Sequence, residues 1–265
     1  MKKIRLLVYL ILVVGIGMLA YPTFSNWWNS MHQSQMIAGY VEKTNEISNQ
    51  KKDEILKEAE IYNNGLKKRN LDRFNLTKKE LDEYNKLLNV TDTGIMAVVN
   101  IPKINVKLPI YHTTTEGVLQ IAVGHIPGSS LPIGGKGSHC VLSGHTGLVS
   151  SKLFTDLDKL KKGDIFTIKV MDRTLTYKVD KITVVLPTEI NDLEINDDMD
   201  YVTLQTCTPY GVNSHRLLVR GERIPNISNV QDIENETKSS YILYIILAIS
   251  IFLLILLILI TKRKK

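Results

Sequence analysis

The most restrictive pattern in the chain runs from Tyr201 to Gly221. Val202, Leu204 and Thr206 alternate with Tyr201, Thr203, Gln205 and Cys207, the period of a strand with one buried face. Pro209 suits the second position of a tight turn, and Gly211 tolerates a positive φ. A second β run, Leu217 to Val219, follows. The pattern predicts a hairpin in which Cys207 leaves one strand and Arg216 enters the next, facing one site although nine residues apart. A fixed guanidinium beside a thiol favours the thiolate, and its donors can hold an oxyanion.

A nucleophilic cysteine also needs a proton-transfer partner. His145 is the candidate: it follows the short β run Val141-Leu142 and sits in a glycine-flanked turn, Gly144-His145-Thr146-Gly147. A lone histidine in such a turn is more often structural, so the argument rests on Cys207, Arg216 and His145 together. His125 and His215 are the alternative histidines, but strand alternation sends His215 to the face opposite Arg216. Ser143 is a candidate to support His145 or a substrate.

Both ends of the 265-residue chain are apolar. Ile4 to Ala20 follows Lys2-Lys3, and Tyr241 to Ile260 is twenty residues without a charge, followed by Lys262-Arg263-Lys264-Lys265. The second is long enough to cross a bilayer. The first is seventeen residues, extended by Tyr21 to Phe24. It reads as an uncleaved anchor, because Met18-Leu19-Ala20 makes a poor cleavage site; a signal peptide is the rival reading. Basic residues at both outer ends predict cytoplasmic termini and an extracellular middle. The net charge of +6 partly reflects those ends and, with no nucleic-acid-binding motif, does not point to nucleic acid. The two cysteines, Cys140 and Cys207, would ordinarily suggest a disulfide outside the cell. Cys140 alternatively reads as a buried small hydrophobe. The histidines and cysteines show no zinc-ligand spacing.

Between these ends the pattern changes from helical to β. Residues 26 to about 70 read as amphipathic helix, with a break near Asn49-Gln50 or Asn63-Asn64-Gly65. Leu71 to Asn89 is less regular. From Gly94 come candidate strands at Ile95–Asn100, Val106–Tyr111, His139–Leu142, Asp164–Met171 and Thr174–Val185. Short helices are expected at Thr115–Ala122 and Ser151–Leu160, and loops over Gly124–Gly137 and Thr188–Asp200. Many short strands with short connections predict a closed β-barrel or sandwich.

Thr203-Leu204-Gln205-Thr206-Cys207 followed by Arg216 resembles the signature of sortases, cysteine transpeptidases of Gram-positive cell surfaces. Leu142-Ser143-Gly144-His145 resembles their histidine motif. The similarity runs from about Gly94 to Ile224 and includes Ile101-Pro102-Lys103-Ile104 and Gly124-His125-Ile126-Pro127-Gly128-Ser129-Ser130-Leu131-Pro132. The run through Arg220-Gly221 is most similar to class C, the pilin-polymerising sortases. The resemblance implies a mainly β chain: an eight-stranded barrel with short helical insertions at 94–224, after a helical region at 23–93. An anchor at 1–22, a linker at 225–240, a transmembrane helix at 241–260 and a basic cytoplasmic tail at 261–265 complete the expected organisation.

The resemblance implies that Cys207 is the nucleophile, His145 the general acid/base and Arg216 the oxyanion or substrate stabiliser. It implies an LPxTG-like substrate, a lysine amine on a pilin as acceptor, and no cofactor or metal. Class C sortases carry a lid with an Asp-Pro-aromatic motif. Here Asp72-Arg73-Phe74, in the lid region near 71–76, keeps the acid and the ring without the proline. Asp72 would engage a positive group in the site, and Phe74 would cover the thiol. Two other readings stand beside this one. One is a sortase that anchors proteins to peptidoglycan; the other is a non-enzymatic two-span surface protein with a Cys140–Cys207 disulfide.

Overall fold

A computed structural model describes residues 2–226. The second apolar stretch, the linker from residue 227 and the basic tail lie outside the described residues. Eight strands close a barrel: β1 (Ile95–Ile101), β2 (Val106–His112), β3 (Val123–His125), β4 (Ser138–Ser143), β5 (Ile165–Val170), β6 (Arg173–Val185), β7 (Asp200–Thr208) and β8 (His215–Ile224). Around the barrel the order is β1-β2-β3-β4-β7-β8-β6-β5, with β5 paired back to β1. The β2–β3 and β4–β7 pairs are parallel and the others antiparallel. Closure leaves no free sheet edge.

Strand alternation sorts the side chains. Cys140 and Leu142 of β4, Val202 and Leu204 of β7, and Leu217 and Val219 of β8 enter the main core with Phe166, Ile168 and Tyr177. Their neighbours His139, Val141, Tyr201, Thr203, Arg216 and Leu218 lie on the outer face. A bulge at Asp180 in β6 shifts the register between Val179↔Gly221 and Lys181↔Arg220. The displaced Asp180 carboxylate accepts hydrogen bonds from Arg220 Nε at 3.1 Å and also from its Nη2.

Among the described residues four α-helices accompany the barrel: α1 (Lys2–Glu46), α2 (Asn49–Leu66), α3 (Lys78–Tyr84) and α4 (Glu116–Ile121). The N-terminal apolar stretch and the first amphipathic segment form one helix, which continues through Pro22. From Leu10 α1 contains an apolar window long enough to cross a membrane by length and composition. Farther along, Ile37 and Tyr40 pack on Ile95, Val98 and Tyr111 on the outer face of the barrel. The helix breaks at Ile47-Ser48, where Ser48 Oγ caps α2 by accepting from Lys51 N at 3.3 Å. The break therefore falls near Asn49-Gln50, the first of the two expected places, and Asn63-Asn64-Gly65 stays helical. Asn63 is buried and bonds both backbone groups of Leu131, donating at 3.2 Å and accepting at 2.7 Å. These bonds hold the asparagine inside the helix by tertiary contact.

Three local expectations are corrected. The irregular stretch after residue 70 holds a 3₁₀ turn, Asn70–Phe74, and then α3, which has a reciprocal capping box between Thr77 and Glu80. The loop over Gly124–Gly137 begins within β3, a three-residue strand. Ser151–Leu160 is not a helix: Leu153 adopts φ +36, and only Leu157–Lys159 winds into 3₁₀. Its apolar side chains still reach the core, because Leu153, Phe154 and Leu157 are all buried.

Candidate active site

The parallel pairing of β4 with β7 sets up the site. Its last register pair is Ser143↔Gln205. One step on, Gly144 N donates to Gln205 O at 3.1 Å, and Thr206 Oγ1 donates to Gly144 O at 2.7 Å. The next residues in each chain are His145 and Cys207, so the two leave the barrel side by side. Gly144 is needed for this exit, since a Cβ there would lie 2.7 Å from the Phe154 ring. Across the hairpin, Cys207 is the direct register partner of Arg216. Alternation aims both side chains away from the core.

His145 is half-buried, with Nε2 3.9 Å from Glu116 Oε1 at the start of α4. That carboxylate is mostly exposed, so the pair contributes little energy, but Glu116 is the acidic group facing the ring. Sequence reasoning did not single it out. Arg216 Nη1 donates to the carbonyls of Asn213 at 3.3 Å and His215 at 3.1 Å. Among the described residues no carboxylate pairs with Arg216, which leaves its remaining donors available to a ligand. A partly exposed thiol, an imidazole and a guanidinium therefore share one end of the barrel. Such a set can attack a carbonyl, shuttle a proton and hold developing negative charge.

Cys140 stands apart from this site. It points into the core, where burial pushes its thiol well up. It pairs in register with Val202, five residues before Cys207, so about 16 Å of strand and opposite faces separate the thiols. Both cysteines are free, and the disulfide considered from the sequence is not formed. His215 pairs with Thr208 and contacts Ser214 Oγ at 2.9 Å. Among the described residues no three His, Cys, Asp or Glu side chains cluster as metal ligands do.

Beside Cys207 the outer face carries an apolar strip. Val141, Leu218 and Leu193 form its buried part, with Phe74, Ile126, Val185 and Ile190 packed against them. Phe74 thus lies on this strip, while Asp72 is exposed and does not meet Arg216. The buried member of the triplet is Arg73, which sequence reasoning passed over because arginine is usually a surface residue. Its guanidinium donates to Leu193 O and stacks over the Phe74 ring at 4.5 Å. Desolvation pulls its pKa down. Gly128, at φ +86, makes room for this segment: a Cβ there would lie 2.2 Å from Arg73 O.

The next carbonyl, Glu194 O, is 2.8 Å from His139 Nδ1, whose Nε2 lies 2.8 Å from Thr203 Oγ1. A carbonyl only accepts, so Nδ1 carries the proton and Nε2 accepts from the threonine. Burial holds His139 at a pKa of about 4, and the fully buried His125 at about 4 as well. Both are neutral in the fold, whereas unfolded histidine titrates near 6.5. Between pH 6.5 and about 4 the unfolded chain therefore binds more protons, and stability falls as pH falls. Each histidine should contribute on the order of 3 kcal/mol to that loss. Thermal melts across this window should show the decline, and a folded His139→Gln variant should show a shallower one. An unchanged slope in that variant would remove His139 from the explanation.

Comparison with known proteins gives the family and the fold. The sortase domain family model matches residues 99–224. The crystal structure of sortase C1 from Streptococcus agalactiae is 48% identical with a TM-score of 0.71, covering 73% of this chain and 100% of that one. Sortase C-1 from Streptococcus pneumoniae is 42% identical with a TM-score of 0.65, covering 73% of this chain and 100% of its own. Sortase D of Bacillus subtilis (strain 168) is 29% identical over 194 residues, 71% of this chain and 92% of the relative. Barrel and family together define a cysteine transpeptidase. The chain belongs to the sortase family, and its structural neighbours are class C sortases.

Proposed function

We propose that this sortase polymerises pilins, with Cys207, His145 and Arg216 as its catalytic residues. The observation that carries the reading is the register pair Cys207↔Arg216 with His145 emerging beside it. The Cys207 thiolate attacks the carbonyl after threonine in an LPxTG-like signal. The Thr–Gly C–N bond breaks, a thioester forms, and protonated His145 gives its proton to the leaving amine. A pilin lysine amine then attacks the thioester and returns a proton to His145. The product is an isopeptide bond, and the thiolate leaves. Arg216 holds the oxyanion in both steps. No cofactor takes part.

A pilin acceptor is favoured over a peptidoglycan amine because the neighbours include a sortase C1 of a pilus island and a sortase C described with pilin substrate specificity. Full-length enzyme incubated with a purified LPxTG-bearing pilin should give a denaturant-resistant ladder whose links are Thr–Lys isopeptides. Transfer to a peptidoglycan amine alone, with no ladder, would replace this reading with wall anchoring.

The same chemistry requires the apolar strip to be open to a peptide, and Phe74 occupies it. The Arg73–Phe74 segment therefore acts as the lid, with Phe74 as its cover and Arg73 as its fastening. Asp72 lacks the contact with a basic site group expected of it. In the Asp72→Ala/Phe74→Ala double variant, loss of a partly buried ring worth about 1.4 kcal/mol should speed Cys207 alkylation roughly tenfold. Wild-type alkylation rates in that variant would show that these residues do not cover the thiol.

A further inference from the structure

We propose that the catalytic end of the barrel rests on the lipid surface, with Val149, Tyr210 and Val212 seated in the bilayer interface. The inference builds on α1 being a membrane span and on the site around Cys207.

The direction of α1 carries the argument. Tyr40 Oη donates to Met96 O and accepts from Met171 N, both at 2.9 Å. Met96 opens β1, and Met171 follows β5, so Tyr40 lies at the end of the barrel away from Cys207. Fifteen residues earlier, about 22 Å up the helix, the contacts are at the other end. Ser25 Oγ and Asn29 Nδ2 both donate to Ser150 O, at 3.3 and 2.7 Å. Asn26 Oδ1 accepts from Lys152 N at 2.9 Å, and Gln33 Nε2 donates to Ile121 O at 2.7 Å. Ser150 is five residues beyond His145. The segment of α1 before Ser25 therefore extends past the end of the barrel where Cys207 and His145 emerge.

That segment is what a bilayer would receive. Leu10 to Val14, Met18 and Leu19 are exposed apolar residues. They end in an aromatic group, Tyr21, Phe24, Trp27 and Trp28, with the Phe24 centroid 5.7 Å from Trp27 and 6.3 Å from Trp28. Aromatic rings at the end of an apolar span occupy the membrane–water interface. Ser25 and Asn26 lie among these rings, so the loop they hold, Val149 to Lys152, sits at interfacial height.

The loops at that height are apolar at their tips. Val149 is 60% exposed, and Tyr210 and Val212 on the β7–β8 turn are 69% and 70% exposed. The turn and the His145 loop pack together, since a Cβ on Gly147 would lie 2.9 Å from the Tyr210 ring. Exposed apolar residues gathered on one rim beside an aromatic belt fit insertion between headgroups. The contact is apolar, so its strength should change little with salt. A peptide reaching Cys207 would then be one held close to the bilayer.

The chain's two tryptophans, Trp27 and Trp28, provide the internal reference. Full-length protein is reconstituted into phosphatidylcholine vesicles with brominated acyl chains, which quench nearby tryptophan fluorescence. Quenching of the native protein tests the span itself. Val212→Trp and, separately, Val149→Trp are then placed in a Trp27→Phe/Trp28→Phe background. Blue-shifted emission, quenched more by shallow than by deep bromines, is expected from each folded variant. Quenching of the native protein with water-like, unquenched emission from the rim variants would overturn the proposal and leave the span intact. No quenching of the native protein would remove the span and the proposal with it.

Discussion

Cys207→Ala should abolish acyl-enzyme formation with a sorting peptide, and transpeptidation should fall by about 10⁴- to 10⁶-fold, the range seen when an acyl-transfer nucleophile is removed. The expectation follows from the strand geometry. Alternation along β7 turns Cys207 out of the core, and the register sets it opposite Arg216 and beside the exit of His145. No other thiol can substitute, because Cys140 is sealed inside the barrel. Cys140→Ala should keep turnover and cost only about 1 kcal/mol of stability through the small cavity it leaves. Intact-mass measurement distinguishes the two thiols: iodoacetamide should add one adduct to the native protein and two after denaturation. Acyl-enzyme mass retained in Cys207→Ala would end the assignment.

Arg216→Ala should lower turnover by about 100- to 1000-fold, the loss typical of one oxyanion donor. The substitution should leave the fold intact. The carbonyls that Arg216 now bonds lie at the rim, Asn213 in the exposed turn and His215 in the partly exposed first position of β8, and can take water instead. Arg216→Lys should also be impaired, since an ammonium cannot reproduce a planar fork of donors. His145→Ala should lose about 10²- to 10⁴-fold from absent proton transfer. Because the groups act on the same step, the double variant should fall well short of the product of the two losses. Single-turnover rates, with circular dichroism to check folding, decide the matter. Near-normal turnover in folded Arg216→Ala and His145→Ala proteins would place the site elsewhere.

The sequence made some of this legible and concealed the rest for identifiable reasons. The β7–β8 hairpin could be read because one face of each strand is buried, which imposes strict alternation on Tyr201–Cys207 and Leu217–Val219. Helix α3 went unread although Thr77 and Glu80 already spell its capping box. Ser151–Leu160 misled because its apolar spacing is helical, while the left-handed Leu153 that breaks the helix leaves no mark in composition. Within the site, Cys207, Arg216 and His145 stood in recognisable motifs. Arg73 did not: its burial depends on Leu193 and the Phe74 ring, which come together only in the folded barrel. The 3₁₀ turn carrying Asp72-Arg73-Phe74 likewise takes its place from the room left by Gly128 rather than from a local helical signal.

The parallel β4–β7 pair has a consequence for how such a chain can change its length. His145 and Cys207 are sixty-two residues apart, yet their spacing is set by neighbouring strands and a hydrogen bond between Thr206 and Gly144. The intervening chain therefore does not act as a ruler. The exposed turn at Leu186–Glu189 could be extended by insertion at an entropic cost of roughly 0.6 kcal/mol per doubling of the loop. Substrate reach and groove depth could diversify there while imidazole and thiol keep their separation. A single-residue insertion within β7 would behave oppositely: the slip would turn Cys207 toward the core and bring Thr206 to the outer face.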